Sequence, residues 1–428
     1  MKMLMFSGPN SNSGKTLVTS AVLRSLKNRG LDIAGFKSGP DFVDRYFLRV
    51  ASQRRAGNLD PFLMGKEGMD MALSLAKTDY ALVEGVMGYY DGMSNGWEGS
   101  SFDIARTYSI PTVIIYSPKG EMFTAITKLK GMVDFSGGLI RGVIFNKCSE
   151  KMYDMLAEKL EEYTEVKALG FIPMDKSLAV EADRLGLRLS EESQLDDFLE
   201  RAGNLVERTL DMEGLVGLFN DVQTPKRGPL KGRGIKIAVA YDEAFASLYT
   251  ENLSLFEELG HVEFFSPLKD KALPKCDLLY LPTGYQVEFA EELSRNLSML
   301  KSIKDYIESG GYCLAEGGGF EYLNKKLNGF TMAGLFEGEV LKTDRLNNFG
   351  YHSLKLEGSI LGTCQINVHE YHKSEILGPG PALGEAIKNG KSRPAGFQYK
   401  NTLGLEQIIN FAGAKDALEY LVDNKSFR

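Results

Sequence analysis

Cysteine is scarce in this sequence of 428 residues, which contains four. They stand singly, without C-x-x-C pairing or the spacing of a zinc site, at Cys148, Cys276, Cys313 and Cys364. Isolated cysteines are typical of structural thiols in a reducing compartment, so neither a disulfide framework nor a zinc ribbon is expected.

An apolar run of membrane-spanning length is also missing. The opening stretch "MKMLMFSGPN" becomes polar too soon for the apolar core of a signal peptide. Basic residues are not in excess, because 50 Lys and Arg stand against 57 Asp and Glu, for a net charge of −7. Nucleic-acid binding normally calls for a basic face. We therefore expect a cytoplasmic protein with neither a membrane nor a nucleic-acid partner.

The chain is too long for one ordinary core, and its pattern of elements restarts once. From Met1 onward, β-rich runs such as "MKMLMFS", "YALVEGV" and "PTVIIYS" alternate with amphipathic stretches. The alternation resumes with "IKIAVAY", "CDLLYLP" and "GGYCLAE", after the basic, Pro- and Gly-rich "TPKRGPLKGRG". Such alternation predicts mostly parallel sheets covered by helices. We therefore predict two α/β domains, at 1–195 and 234–428, joined by a linker at 196–233.

The first predicted strand leads directly into "SGPNSNSGKT" and then into a helical stretch closed by Gly30. A strand, a glycine-containing loop and a helix N-terminus form a phosphate-binding unit. In such a loop Lys15 would reach the terminal phosphates of a nucleotide, and the Thr16 hydroxyl would ligate Mg²⁺. The strict G-x-x-x-x-G-K-[ST] pattern is not met, because Pro9 replaces its first Gly and Gly8 lies one position earlier.

Acidic and basic side chains follow two further strands of the first domain. Lys37, Asp41 and Asp44 cluster in "GFKSGPDFVDRYF", and Glu84 ends the strand of "ALVEGVMGYYDG". Ligands of α/β sheets bind at the carboxyl ends of strands, and Mg²⁺ prefers oxygen ligands. Each stretch taken alone is equally consistent with a solvated loop. Together they predict carboxylates and lysines around one phosphate loop.

The second domain contains a strand, a sharp glycine corner and a helix in "GGYCLAEGGGFEYL". Enzymes use this elbow to hold a nucleophile on a strained turn. The corner here carries no Ser, Cys or Thr.

Several of these stretches resemble the cobyrinate a,c-diamide synthase family over nearly the whole chain. "GPNSNSGKT" is similar to the loop of dethiobiotin synthetase and its relatives. Sequence motifs similar to those of the family follow in "FKSGPDFVD", "NLDPFLMG", "EGVMGYYDG", "GVIFNK", "LGFIP" and "RLGL", and beyond the linker in "AEGGGFEYL" and "HEYHKSE". The resemblance implies a P-loop NTPase-like sheet followed by a class I glutamine amidotransferase-like, flavodoxin-like domain. It also implies ATP-dependent, Mg²⁺-dependent amidation of tetrapyrrole carboxylates through an acyl phosphate.

The resemblance also assigns residues to these roles. It implies nucleotide contacts at Gly8, Asn12, Ser13, Gly14, Lys15, Thr16 and Asn146. Catalysis falls to Lys15, Lys37, Asp41 and Asp44, and Mg²⁺ ligation to Thr16, Asp41 and Glu84. Substrate contacts are implied at Asp60, Tyr89, Asp91, His369 and His372. Asn146 is equally consistent with a polar strand end, and the two histidines with a structural role. A metal site at "HEYHKSE" is weakly indicated, since two His and one Glu lack a further ligand.

Glutamine hydrolysis in the family needs a thiolate on the elbow and a histidine to activate it. The family motif Ala-Glu-Cys-Gly-Gly corresponds to Ala-Glu-Gly-Gly-Gly in this chain, so Gly317 occupies the position of the nucleophile. The family histidines align with Ile408 and Asn410, and Thr283 replaces a family glycine nearby. Cys313 lies four residues before the corner in a predicted buried strand, where its thiol is no substitute. We therefore predict an inactive glutaminase.

The leading hypothesis is an amide ligase that takes free ammonia or ammonia from a separate glutaminase. A second hypothesis keeps the activation by ATP but joins the activated carboxylate to an amine other than ammonia, or cyclises it. A third hypothesis is a non-catalytic tetrapyrrole- or nucleotide-binding partner of an active paralogue. Cobyrinic acid and a (metallo)sirohydrochlorin are candidate tetrapyrroles, and a homodimer is the default assembly.

Overall fold

The computed structural model describes residues 1–174, 192–224 and 227–423. It divides into two compact units: Met1–Pro61 with Asp70–Lys226, and Phe62–Met69 with Arg227–Arg428. The motif "RLGL", at 184–187, lies outside the described residues. Among the described residues, no helix combines the length and apolar character needed to cross a bilayer.

The first unit is built on one twisted α/β sheet. Its strands are β1 Lys2–Ser7, β2 Ile33–Ser38, β3 Gly57–Leu59, β4 Tyr80–Glu84, β5 Thr112–Tyr116, β6 Ile140–Asn146, β7 Lys167–Ile172 and β8 Asn220–Asp221. Its described helices are α1 Lys15–Asn28, α2 Val43–Ser52, α3 Pro61–Ala76, α4 Ser101–Tyr108, α5 Phe123–Phe135, α6 Glu150–Tyr163, α7 Glu192–Thr209 and α8 Met212–Gly217, with a 3₁₀ turn at Met93–Asn95.

The strand order of this sheet places a ligand site at the end of β1. The order is β3-β2-β4-β1-β5-β6-β7, all parallel, with β8 added antiparallel to β1. Strands β4 and β5 flank β1 on opposite sides, so the chain switches direction across the sheet there. In open α/β sheets ligands bind at this switch point, beyond the carboxyl ends of the strands. The central strands are buried and apolar, as expected for a sheet covered on both faces.

The structure places α7, Glu192–Thr209, where the sequence predicts the start of the linker. Its buried side chains repeat at helical spacing and pack in the core of the first unit with those of α1. These side chains are Leu195, Phe198, Leu199, Ala202 and Val206. A helix with such an apolar stripe gains its stability from packing against a neighbour, so this stretch is part of the first unit. The two units divide at residues 226 and 227.

The second unit combines a parallel α/β core with long antiparallel strands. Its strands are β9 Ile235–Ala240, β10 Gly260–Phe265, β11 Leu278–Leu281, β12 Tyr312–Glu316, β13 Asn324–Leu327, β14 Phe330–Thr331, β15 Phe336–Ser359, β16 Gly362–Leu377, β17 Ala382–Lys388, β18 Lys391–Tyr399, β19 Thr402–Leu405 and β20 Ile408–Ile409. Its described helices are α9 Thr250–Leu259, α10 Ala290–Arg295, α11 Leu297–Glu308, α12 Gly318–Leu323 and α13 Lys415–Asp423.

Strands β10-β9-β11-β12-β19 are mutually parallel, and β18, β17 and β15 continue the sheet antiparallel. The hairpin of β15 and β16 is long, and its register shifts three times. The predicted class, two α/β domains with parallel sheets, is confirmed. The second unit also contains Phe62–Met69 from α3, a helix interrupted at Gly65, whose φ is 57° and ψ −175°.

Candidate functional site

The loop between β1 and α1 is shaped to receive an anion. Gly14 precedes α1 with φ 85°, in the left-handed region that favours glycine. A Cβ at Gly14 would lie 2.2 Å from Nδ2 of Asn146, so only glycine fits. Ser13 donates its hydroxyl to the Asn10 carbonyl, 3.2 Å away, which tightens the loop. The N-terminus of α1 begins at this loop and presents the positive end of the helix dipole there.

Asn146, at the end of β6, braces this loop from the neighbouring strand. Its Nδ2 donates to the Ser13 carbonyl at 2.8 Å, and its Oδ1 accepts from the Lys147 N–H at 2.9 Å. The side chain is buried. The geometry therefore gives Asn146 a positioning role, and its contact with a nucleotide base stays a prediction. Its loop contact is a feature that the sequence spacing did not suggest.

Lys15 opens α1 and ties the phosphate loop to the turn after β4. Its Nζ donates to the carbonyl of Asn10 at 2.7 Å and to that of Met87 at 2.6 Å. Met87 has φ 48°, uncommon for a residue with a long side chain. Burial, with the nearby charge of Lys37, lowers the pKa of Lys15 to about 8.

Lys37 and Glu84 end neighbouring strands β2 and β4 and lie directly opposite in register. Lys37 Nζ is 2.9 Å from Glu84 Oε1 and 2.7 Å from Asp44 Oδ2. Thr16 donates its hydroxyl to the same Glu84 oxygen at 2.7 Å. Lys37 and Glu84 are buried. Burial raises the pKa of Glu84, while the charges of Glu84 and Asp44 overcome burial and raise the pKa of Lys37. The structure thus brings four of the predicted residues into one cluster.

Asp41 has a different local function. Its Oδ1 accepts the N–H groups of Val43, at 2.7 Å, and Asp44, at 3.2 Å, and so satisfies free donors at the start of α2. Burial and the neighbouring Asp44 carboxylate raise the pKa of Asp41. Its role in catalysis or metal ligation stays a prediction.

Glu84 also supplies a test of the magnesium prediction. Its Oε2 is buried and has no hydrogen-bond partner within the described part of the chain. A buried carboxylate oxygen without a partner is costly unless a donor or cation occupies the adjacent space. With the Thr16 hydroxyl, it forms the start of an oxygen-ligand set that fits Mg²⁺.

The predicted substrate residues of the first unit lie near the same strand ends, but they differ in burial and in hydrogen bonding. Tyr89 is buried, and its hydroxyl lies 3.1 Å from that of Thr112, inside the unit. Asp91 accepts the N–H of Gly88 at 3.0 Å and shapes the turn. Asp60 is fully buried just before α3. The Tyr89 hydroxyl is therefore placed as a core group, whereas Asp91 forms part of the turn held by Lys15.

The lowered pKa of Lys15 predicts a pH-dependent affinity for nucleotide. Below about pH 8 the free protein carries a charged ammonium at this position, and above it the charge is lost. The dissociation constant of a non-hydrolysable ATP analogue should therefore rise by about tenfold for each pH unit above that value. Calorimetric titrations from about pH 7 to about pH 9 measure it. Lys15→Arg, which stays charged, should remove the dependence, and an equally flat wild-type profile would contradict the assignment.

In the second unit the glycine corner forms a sharp elbow between β12 and α12. Gly317 has φ 51° and ψ −122°, a backbone conformation that residues other than glycine rarely adopt. Glu316, just before it, accepts from the Tyr280 hydroxyl at 2.5 Å and from the Ile409 N–H at 2.9 Å. The Ile409 contact places the stretch that includes Ile408 and Asn410 beside the elbow.

Thr283 occupies the space that an elbow side chain would need. A Cβ at Gly317 would lie 2.5 Å from the Thr283 Oγ1 and 2.7 Å from its Cβ. The N–H of Gly318, the residue after the nucleophile position, donates to the Thr283 hydroxyl at 3.2 Å. In nucleophile elbows that N–H stabilises the oxyanion. Thr283 thus fills the space beside Gly317 and accepts the N–H of the following residue.

The positions aligned with the family histidines are filled by buried, non-titrating side chains. Ile408 is apolar, and Asn410 directs its Nδ2 towards Glu251 Oε2 at 3.4 Å. Cys313 is fully buried within β12, and burial raises its thiol pKa well above the ordinary value. A thiol in such surroundings is inert.

His369 and His372 have separate surroundings on β16. His369 packs between the rings of Phe349 and Tyr351, with ring centroids 5.6 and 5.8 Å away. Burial lowers its pKa to about 4, so its ring is neutral at physiological pH. The nitrogens of His372 instead lie 3.0 Å from the Ser374 carbonyl and 2.9 Å from Glu370 Oε1. The structure does not unite the two rings in one site.

Comparison with known proteins matches both units to described families. Residues 4–186 match the "CobQ/CobB/MinD/ParA nucleotide binding domain", and residues 236–406 match the "CobB/CobQ-like glutamine amidotransferase domain". A cobyrinate a,c-diamide synthase of Clostridium acetobutylicum is 36% identical, covering 99% of this chain and 100% of the relative. That of Clostridium tetani is also 36% identical, with 99% and 100% covered. That of Methanocaldococcus jannaschii is 32% identical, with 88% of each chain covered.

Proposed function

Since the chain belongs to the cobyrinate a,c-diamide synthase family, we propose that it amidates peripheral carboxylates of a tetrapyrrole with consumption of ATP. The first unit would perform the chemistry. The observation that supports this assignment is the cluster of Thr16, Lys37, Asp44 and Glu84 at the switch point of the sheet, with Lys15 on the adjoining phosphate loop. Cobyrinic acid, the substrate in the relatives' names, is the first candidate, and a (metallo)sirohydrochlorin the second.

The proposed reaction has two steps. A carboxylate oxygen of the tetrapyrrole attacks the terminal phosphorus of ATP, the bond to ADP breaks, and an acyl phosphate forms. Ammonia then attacks the carbonyl carbon, and phosphate leaves with the bonding electrons, which gives the amide after loss of a proton. The first step brings anions together, so its cost is reduced by fixed cations. In this proposal Lys15 neutralises phosphate oxygens.

Lys37 contributes a positive charge that the fold holds in place. Its ammonium lies between Glu84 and Asp44 and is buried, so little reorganisation is needed when a further anion approaches. Thr16 and Glu84 would hold Mg²⁺, with Asp41 as a further carboxylate nearby. Bound there, the ion would neutralise charge on the phosphate oxygens.

We further propose that the nitrogen comes from free ammonia or from a separate glutaminase. Gly317 offers no nucleophile, Thr283 fills the adjacent space, and Ile408 and Asn410 offer no general base. Hydrolysis of an amide by this type of site requires both a nucleophile and a general base. In this proposal the second unit is retained for a role other than glutamine hydrolysis.

The proposal predicts a strict preference between nitrogen donors. The purified chain, given ATP, Mg²⁺ and cobyrinic acid, should form an amide with ammonium chloride and none above background with glutamine. Mass spectrometry of the product measures the number of carboxylates converted. A parallel panel should contain sirohydrochlorin and its nickel form.

Two outcomes of the same assay would overturn parts of the proposal. Product from glutamine by the isolated chain would remove the inactive-glutaminase claim. Product masses that correspond to another amine or to loss of water alone would replace amidation by ligation or cyclisation. If no tetrapyrrole of the panel stimulated ATP turnover, a non-catalytic binding role would be favoured.

A further inference from the structure

A buried polar cluster in the second unit has no place in the proposed reaction. It joins side chains from strands that are distant in sequence: Glu370 and His372 on β16, Arg393 on β18, and Glu406 between β19 and β20. Glu370 is fully buried, and the side chains of His372 and Glu406 are 9% and 13% exposed. The cluster lies beside the elbow, because Leu405, the neighbour of Glu406, accepts the Gly317 N–H at 2.7 Å.

Three of these side chains present donor atoms to one another. One oxygen each from Glu370 and Glu406 and one ring nitrogen of His372 all lie within 4.8 Å of one another. Protein ligands bind first-row divalent ions at about 2.0–2.2 Å, so donors on opposite sides of one ion are about 4 Å apart. The distances between the three atoms are therefore close to those between ligand atoms around a single ion. Sequence spacing suggested His369 as a partner of His372, but Glu406 takes that place.

The imidazole of His372 is held at both ring nitrogens. Its Nδ1 lies 3.0 Å from the Ser374 carbonyl, an acceptor. Its Nε2 lies 2.9 Å from the Glu370 carboxylate. Metal-ligating histidines almost always donate the other ring N–H to a carbonyl or carboxylate, which fixes the ring. The contact of Nδ1 with Ser374 has this pattern, and a cation bound at Nε2 would replace the proton shared with Glu370.

Arg393 and Gln407 hold the outer oxygens of both carboxylates. Arg393 donates to Oε2 of Glu370 and, at 2.6 Å, to Oε2 of Glu406, while Gln407 Nε2 donates to the same Glu370 oxygen at 2.6 Å. The Oε1 atom of Glu370 remains on the side of His372. Gln407 is fully buried, and its Oε1 has no partner within the described residues. A buried amide oxygen without a donor is uncommon, and this one belongs to a side chain that contacts the cluster through its Nε2.

Carboxylates outnumber guanidinium groups among the described side chains of the cluster. Glu370 and Glu406 share the guanidinium of Arg393, His372 lies against Glu370, and a third carboxylate, Glu321 on α12, accepts the hydroxyl proton of Ser374 beside His372. Buried charges are normally paired or coordinate metals. A divalent cation in place of the proton between His372 and Glu370 would leave the contacts of Arg393 unbroken.

We propose that Glu370, His372 and Glu406 form a binding site for one divalent first-row transition ion, with Arg393, Gln407 and Ser374 orienting the ligands. An imidazole with two carboxylates suits ions such as Zn²⁺, Co²⁺ or Mn²⁺ better than Mg²⁺, which prefers oxygen alone. Three protein ligands leave at least one position for water. This site is separate from the proposed magnesium site of the first unit.

Cobalt is a suitable probe, because bound Co²⁺ absorbs visible light according to its ligands. The full chain, stripped with a chelator and kept in excess Mg²⁺ to occupy the oxygen site of the first unit, is titrated with CoCl₂. Equilibrium dialysis should give one tightly bound Co²⁺ per chain, with a visible absorption band that appears in step. His372→Gln and Glu406→Gln should each weaken binding by at least about 100-fold.

The exposed His261 on β10 provides the matched control, and His261→Gln should bind Co²⁺ as the wild type does. Circular dichroism of the metal-free variants separates loss of a ligand from loss of the fold. If His372→Gln does not fold, Glu406→Gln, on a partly exposed side chain, still decides the question. Absence of bound Co²⁺ in the wild type would overturn the proposal, as would wild-type affinity in the folded variants.

Discussion

Lys15→Ala is expected to reduce tetrapyrrole-dependent ATP turnover by about a thousandfold or more and to leave the fold intact. In the proposed reaction the ammonium meets phosphate oxygens, and removal of one charge-stabilising donor from such a site costs about 10²–10³ in rate or more. The fold should tolerate the change because the partners of Lys15 are the carbonyls of Asn10 and Met87, which water can reach on removal. Steady-state ATPase kinetics with ammonium as nitrogen donor measure the effect.

Lys27, at the other end of α1, is the matched control for this variant. It lies in the last turn of the helix, away from the phosphate loop, and Lys27→Ala should keep turnover within about twofold of the wild type. Equal activity of Lys15→Ala and the wild type would remove Lys15 from the reaction. A large loss in both variants would instead point to damage to α1.

Gly317→Cys, the change that restores the family nucleophile, is expected to destabilise the second unit by about 2–5 kcal/mol and to yield no glutaminase. Overpacking against Thr283 costs about 1–3 kcal/mol, and a side chain at φ 51° costs about 1–2 kcal/mol more. Hydrolysis should stay absent, because Ile408 and Asn410 cannot take a proton from the thiol. Thermal unfolding and a glutamate-release assay measure the two effects.

The double variant Gly317→Cys with Thr283→Gly separates these contributions. Relative to Gly317→Cys alone, it should regain the stability lost to overpacking, about 1–3 kcal/mol. The loss of stability caused by the backbone conformation of residue 317 should remain. Gly228→Cys, at an exposed glycine with no atom near its Cβ position, serves as the control for a new cysteine and should be neutral. Full stability of the Gly317→Cys variant would show that Thr283 does not obstruct the position.

The parts of the site that were predictable from sequence are those whose residues are local or end adjacent strands. The phosphate loop follows from its own spacing, and the meeting of Lys37 with Glu84 follows because parallel strands end at one edge of a sheet. The alternation of elements likewise predicted two α/β units. The stretch from 190 to 233 was expected to be polar and charged with one helical segment, and α7 was assigned to the linker because its charged face outweighs its apolar stripe.

The remaining features depend on contacts between distant parts of the chain. Thr283 and Gly317 follow the adjacent parallel strands β11 and β12, so their proximity is predictable, but the distance between them depends on loop conformations that no local pattern predicts. The Thr-for-Gly replacement was visible, but its steric effect was not. Glu406 joins His372 through the pairing of long strands whose register shifts at bulges, which sequence periodicity does not locate.

The segment 62–69 has a consequence for the order in which the chain can mature. It is synthesised early, yet it belongs to the second unit, where Phe62 accepts a hydrogen bond from Asn367 at 2.8 Å. The Leu63 carbonyl is so close to Gly413 that a Cβ there would lie 2.0 Å from it. These partners leave the ribosome near the end of translation, so the segment must wait until then to complete its packing. A fragment that begins at residue 227 would lack this piece, and a nascent chain released early would leave it unprotected against proteases.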